Sequence, residues 1–238
     1  MGDEFTEVAI CSRVQYRLLV QHSLFGRLPI AFDGTFLEMR RIPLEDGAWL
    51  DLAPGWLEGH EALFDLLLEE ARFTAHRRLM YDRVVDVPRL LGRAPTQGRS
   101  AALLREIARA LERRYGMALP SITLAHYRDG RDGVAMHGDK MGSLVDDTIV
   151  VVLSLGHPRR FLIKPVRGGS SRAFTLGGGD LLVMGGTCQK THVHGVPKVA
   201  EAGGRISVMF RPAVPEASAE EEARARLSKV RRFAALSA

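Results

Sequence analysis

Apolar positions along the chain recur at two different periods. Between residues 57 and 79, Leu63, Leu66, Leu67 and Ala71 recur at the i, i+3, i+4, i+8 spacing of one helix face, which predicts an amphipathic helix over that stretch. Ser100 opens a second helix with Leu103, Leu104, Ile107 and Leu111 on one face, and Gly116 is its stop signal. From Ser121 onward the texture changes to β-branched and aliphatic runs broken by Gly and Pro, which predict strands over 121–127, 148–155, 160–165, 172–176, 180–185 and 205–211. Upstream, 36–40 and 49–52 read as short strands, the latter stopped by Pro54-Gly55, and 80–90 reads as a longer one. Helices followed by many short strands give an α+β chain. Its expected core is an antiparallel double-sheet barrel of the jelly-roll or cupin type, buttressed by the helices.

Composition refines this picture without redirecting it. The 238 residues are 46% hydrophobic and 26% charged, as in an ordinary soluble domain with a sizeable core. Three segments are expected within one globular unit: 1–98 as an extension, helix and lid, 99–213 as a helix and the barrel, and 214–238 as a basic terminal helix. The last opens on a capping box at Ser218 and Glu221, carries Arg224, Arg226, Lys229, Arg231 and Arg232, and docks through Leu227, Val230 and Phe233. With no long apolar run, and with Asp3, Glu4 and Glu7 ahead of any apolar stretch, a cytoplasmic protein away from membranes is expected. The two cysteines, Cys11 and Cys188, make no disulfide framework, and Cys188 reads as a small buried residue. The net charge of +5 and pI near 9.5 favour a polyanionic partner.

Candidate chemistry concentrates between residues 137 and 211. Side chains at i and i+2 of an extended chain project to the same side, so His137 and Asp139 can grip one ion while Gly138 leaves the backbone free to turn. About 55 residues later Thr191-His192-Val193-His194-Gly195 offers a third ligand from either imidazole. Two imidazoles and a carboxylate form the facial triad of non-haem Fe(II) oxygenases. Arg205 and Arg211 are six positions apart, an even number, so on a strand they face the same way and could clamp a dicarboxylate.

These residues resemble the AlkB-like 2-oxoglutarate and Fe(II)-dependent dioxygenases that repair alkylated nucleic acid. The resemblance runs from about Leu124 to Pro212, with a weaker extension upstream to about Met80. It rests on His126-Tyr127-Arg128-Asp129-Gly130, His137-x-Asp139, the run from Gly179-Asp180 to Gly186, His194-Gly195-Val196-Pro197-Lys198, and Arg205-x-Ser207-x-Met209-x-Arg211. It implies a double-stranded β-helix with an N-terminal substrate lid, and His137, Asp139 and His194 as both catalytic and metal-holding residues. His192, where relatives often carry an aromatic, is then left to packing or to contact behind a ligand. Tyr127, Arg205, Ser207 and Arg211 are the implied 2-oxoglutarate contacts. The lid brings Tyr81, Arg83 and Arg89 toward a substrate base.

The implied activity is oxidative dealkylation of N-alkylated bases in DNA by Fe(II), 2-oxoglutarate and O2, releasing succinate, carbon dioxide and an aldehyde. The base must be reached in single-stranded or flipped form, by an enzyme acting as a monomer. Ala125 stands where the family commonly has Asn, Ser207 replaces another Asn, and Met141 stands where some members have an acidic residue, with Asp146 and Asp147 as possible substitutes. The alternatives are an oxygenase of RNA, protein or small molecules, and a non-catalytic metal-binding barrel that recognises nucleic acid.

Overall fold

The computed structural model describes residues 29–80, 83–139, 141 and 148–213, with the backbone path alone for 77–80 and 83–86. The predicted helix over 214–238, Tyr81, the side chain of Arg83, Cys11, and Asp146 with Asp147 lie outside the described residues.

Two antiparallel sheets pack face to face. The larger runs, in spatial order, β2 (Arg40–Pro43), β3 (Ala48–Ala53), β12 (Leu181–Gly186), β9 (Val150–Gly156), β14 (Arg205–Arg211), β7 (Ser121–Tyr127), β6 (Arg83–Arg93) and β5 (Phe73–Met80). The smaller runs β11 (Arg172–Leu176), β10 (Arg159–Pro165), β13 (His192–Val196) and β8 (Val134–His137). A short ribbon joins β1 (Ala31–Phe32) to β4 (Leu57–Glu58). Among the described residues three α-helices accompany them: α1 (His60–Glu70), α2 (Arg99–Tyr115) and the single turn α3 (Cys188–Thr191). This is the expected double-stranded β-helix.

Strand β9, Val-Val-Val-Leu-Ser-Leu-Gly, shows why the barrel reads as unbroken apolar sequence. Val150 and Val152 face Phe161, Ile163, Leu176 and Val196 of the smaller sheet. Val151, Leu153 and Leu155 face outward, but onto Leu63 and Leu67 of α1 and Leu103, Leu104, Ile107 and Leu111 of α2. An antiparallel strand normally alternates because one face meets water; here a helical layer covers that face, so both parities are apolar.

Two local expectations are corrected. The helix predicted over 57–79 ends at Glu70, and the chain re-emerges as β5, which pairs with β6 from Phe73 opposite Gly92. The β-forming Phe73 and Thr74 there meet a long partner strand, and ladder pairing prevails over the helical period. Gly92 permits the approach, since a Cβ on it would lie 2.7 Å from the Arg72 carbonyl oxygen. The strand predicted over 36–40 is instead a turn, in which the Asp33 carboxylate accepts the Thr35 and Leu37 amides at 2.9 and 3.0 Å, and β2 begins only at Arg40.

The start of α2 is capped from another helix. Its N-cap residue is Gly98, which has no side chain to offer, and the Glu70 carboxylate at the end of α1 accepts the Arg99 and Ser100 amides at 3.3 and 3.0 Å as well as the Ser100 hydroxyl. These bonds hold the Glu70 carboxyl below the usual carboxylate range, the Ser100 hydroxyl having the largest effect. Glu70→Ala should cost about 1 kcal/mol and lower Tm by roughly 2–4 °C; a thermal melt unchanged by the substitution removes the cap from the account.

Candidate active site

The site is built on strand parity. On β14 the side chains of Arg205, Ser207, Met209 and Arg211 share the inner face, and on the paired β7 so do Tyr127, Ala125 and Thr123, in register with the first three. All line one cavity of about 1090 Å³ between the sheets. From the smaller sheet His137 on β8 and His194 on β13 stand directly opposite each other in the ladder. Their rings are 4.6 Å apart between centroids.

Asp139 follows β8 into the same cluster. Its Oδ1 accepts two N–H groups of Arg211, at 2.8 and 3.2 Å. Its Oδ2 is buried with no hydrogen-bond partner and lies 3.7 Å from His194 Nε2. A buried carboxylate oxygen left without a donor is costly, and a cation is the partner that such an atom lacks. His137 Nδ1 must donate to the Ala135 carbonyl at 2.9 Å, since that oxygen only accepts, which leaves Nε2 with its lone pair for a ligand. Burial pushes the His194 imidazole down to about 4, against the opposing pull of Asp139, so it is neutral and able to ligate. As they stand, no three His, Cys, Asp or Glu side chains among the described residues are placed to hold a metal ion; His137 and His194, and His194 and Asp139, are neighbours that would have to close up around one. The donor set, two imidazoles and one carboxylate with an unclaimed oxygen, fits Fe(II).

Arg205 has a different deficit. It is 1% exposed, and its guanidinium donates to two neutral hydroxyls, Ser154 Oγ at 3.1 Å and Ser207 Oγ at 2.6 Å. Its carbon sits 5.2 Å from the centre of the Tyr127 ring. No carboxylate contacts it among the described residues, and burial lowers its pKa, Tyr127 offsetting part of the shift. A guanidinium still charged at any working pH and walled off from water calls for an anion in the cavity.

Sequence reasoning had no signal for several members of the site. Gln189 on α3 accepts the Asp139 amide at 3.2 Å and so ties together the two segments that carry the ligands. Thr123 accepts Arg211 Nη1 at 2.7 Å. Arg159 is buried and donates to the carbonyls of Asp129, Asp132 and Pro197, closing the loops beyond Tyr127. Only Ser154 could have been noticed, as a lone hydroxyl in an apolar run. Gly138 is not needed as a hinge: its φ is not positive, and a Cβ there would meet the Gln189 carbonyl at an ordinary 3.5 Å.

The remaining sequence candidates are distributed as follows. His192 is buried with Nδ1 2.7 Å from Thr191 Oγ1 and does not line the cavity. Met141 and Cys188 are buried, and burial pushes the Cys188 thiol up to about 12, an inert state. Arg89 lines the cavity, whose outer part is walled by Arg72, Thr74 and His76 at β5 and by Arg89, Leu91 and Arg93 of β6.

A family model described as the 2OG-Fe(II) oxygenase superfamily matches residues 62–227. An uncharacterized protein of Acanthamoeba polyphaga mimivirus is 29% identical over 114 residues, which span 47% of this chain and 59% of that protein. Among solved structures, an oxidoreductase of the 2OG-Fe(II) oxygenase family from Burkholderia pseudomallei aligns with a TM-score of 0.51 at 18% identity, over 73% of this chain and 90% of that one. A prolyl hydroxylase from Trichoplax adhaerens, in complex with a peptide fragment of hypoxia inducible factor, aligns with a TM-score of 0.50 at 9% identity, over 69% and 83% of the two chains. At such identities the structures share a fold. No helix among the described residues is long and apolar enough to cross a membrane.

Proposed function

The chain belongs to the 2OG-Fe(II) oxygenase superfamily, and from that premise we propose that it is a 2-oxoglutarate-dependent dioxygenase that removes N-alkyl groups from damaged bases of DNA. The observation that carries the reading is the outer cavity. It opens from the Asp139 and His194 pair onto Arg72, Arg89 and Arg93, none of which has an ion-pair or hydrogen-bond partner among the described residues. Unpaired guanidiniums around a deep slot suit a phosphate backbone at the rim and a base inserted toward the metal.

Fe(II) and 2-oxoglutarate, when bound, supply the oxidation of an alkyl carbon by O2, with succinate and carbon dioxide as co-products. The chain's own groups place the reactants. His137, Asp139 and His194 would hold the metal, and Arg205, with Ser207 and Tyr127 beside it, would take the distal carboxylate of 2-oxoglutarate. Arg211 acts through Asp139: its two bonds to Oδ1 fix the carboxylate so that Oδ2 faces His194. Apolar walls from Val150, Val152, Phe161, Met184 and Val196 keep water from the depth of the slot. A hydroxylated N-alkyl carbon is a hemiaminal, which breaks its C–N bond to give the free base and an aldehyde.

In this reading the enzyme works in the cytoplasm as a monomer, on single strands or flipped bases. The test is mass spectrometry of single-stranded oligonucleotides carrying 1-methyladenine, 3-methylcytosine or 3-methylthymine, with and without Fe(II) and 2-oxoglutarate. Loss of the methyl group, coupled to succinate release above the rate without oligonucleotide, is expected. Succinate formation indifferent to every methylated DNA would overturn the proposal in favour of RNA, protein or small-molecule substrates.

A further inference from the structure

Of the three arginines that line the outer cavity among the described residues, Arg89 lies deepest. Arg72 and Arg93 are exposed at the rim, whereas Arg89 is half-buried, on the inward parity of β6 that it shares with Leu91 and Arg93. It has no hydrogen-bond or ion-pair partner among the described residues.

The two carboxylates that line the same cavity among the described residues are both engaged. Glu70 caps α2 through both oxygens, and Asp139 is held by Arg211 on one oxygen and faces His194 with the other. Among the described residues the space between ligand cluster and rim therefore presents one unneutralised cation and no free acid. A half-buried charge is screened less by salt than one at the rim, so its sign matters to whatever group enters.

N-alkylated bases divide by charge. Alkylation at N1 of adenine or N3 of cytosine makes the ring cationic, whereas alkylation at N3 of thymine leaves it neutral with a carbonyl oxygen on each side of the alkylated nitrogen. We infer that Arg89 makes this cavity selective for uncharged N-alkylated bases over cationic ones, by donating to a ring carbonyl beside the alkyl group and repelling a charged ring. The inference rests on the alkylated-base reading above and names the lesion class within it. A cation so placed acts on specificity, because a carbonyl acceptor gains a charge-assisted bond where a cationic ring meets like charge.

The test compares two oligonucleotides identical except for 3-methylthymine or 1-methyladenine, with the full chain loaded with Fe(II) and 2-oxoglutarate. The wild type should favour 3-methylthymine in kcat/KM by about tenfold or more, the weight of one charge-assisted hydrogen bond. Arg89→Gln should bring the ratio toward one, and Arg89→Glu should invert it. Fluorescence anisotropy of the same oligonucleotides, measured anaerobically so that nothing turns over, should shift in the same order. Removal of both methyl groups with a ratio that neither variant moves overturns this inference and leaves the dealkylation reading standing. Removal of neither by the wild type defeats the dealkylation reading itself.

Discussion

Asp139→Ala is expected to abolish metal binding and turnover together, the largest effect of any single substitution in this chain. The carboxylate is the only anionic member of the cluster, and its Oδ2 is buried with no donor to satisfy it. Its removal leaves two neutral imidazoles to hold a dication, and it also strands Arg211, whose guanidinium then keeps Thr123 Oγ1 as its oxygen partner. A cation takes the place that the ligand's negative charge held, so repulsion adds to the missing bond. Since losing a group that merely supports a ligand costs roughly 10–100-fold in metal affinity, losing this ligand should cost more than about a hundredfold. Titration with Co(II) or Mn(II), followed by absorbance or calorimetry, checks this without turnover, and circular dichroism verifies that the variant folds. Wild-type metal affinity in Asp139→Ala would remove the proposed centre.

Arg205→Met is expected to raise KM for 2-oxoglutarate by at least about a hundredfold, the factor set by the roughly 3 kcal/mol at stake in a buried charge-assisted pair. The same substitution should leave the unliganded protein as stable as before or more so. Arg205 is 1% exposed, and among the described residues its guanidinium has the Tyr127 ring and two hydroxyls beside it but no anion, so its charge is uncompensated until an anion arrives, and a thioether of similar reach carries no such penalty. Ligand and stability effects thus run in opposite directions, which distinguishes an anion-binding arginine from a structural one. The measurement is thermal unfolding with and without 2-oxoglutarate and Mn(II): the wild type gains Tm on ligand addition and the variant does not. A variant that melts well below the unliganded wild type and keeps its KM within about threefold of the wild-type value would make Arg205 a scaffold residue.

Most of the barrel was legible residue by residue. The strands expected over 121–127, 172–176 and 205–211 have those bounds in the structure, because Gly, Pro and charged residues punctuate them at both ends. The helix opened by Ser100 likewise stops at Gly116, whose φ of 65° is the left-handed conformation that glycine adopts without strain. Where the reading failed, the cause was a partner strand further along the chain in one case and a local side-chain turn in the other. The helical period past Glu70 gave way to pairing of β5 with β6, and the 36–40 segment gave way to an Asp33 turn that stacks Phe36 on Trp56 at 5.6 Å between ring centroids. The hairpin formed by that pairing is also what gives the cavity its cationic outer wall.

By itself the sequence determined the parity of the site. The even spacing of Arg205, Ser207, Met209 and Arg211, and the i, i+2 pair of His137 and Asp139, put each set on one side of an extended chain whatever lies opposite, because side-chain alternation is a property of the strand alone. Only the tertiary structure decided what those side chains meet. It brought His194 rather than His192 into the cavity, gave Arg211 to Asp139, left Arg205 with hydroxyls for partners, and held Asp139 through Gln189, a residue with no signature in the chain. Those contacts join segments up to 72 residues apart, and their register is set by how the two sheets and the covering helices pack, which is a property of the whole core and of no local stretch.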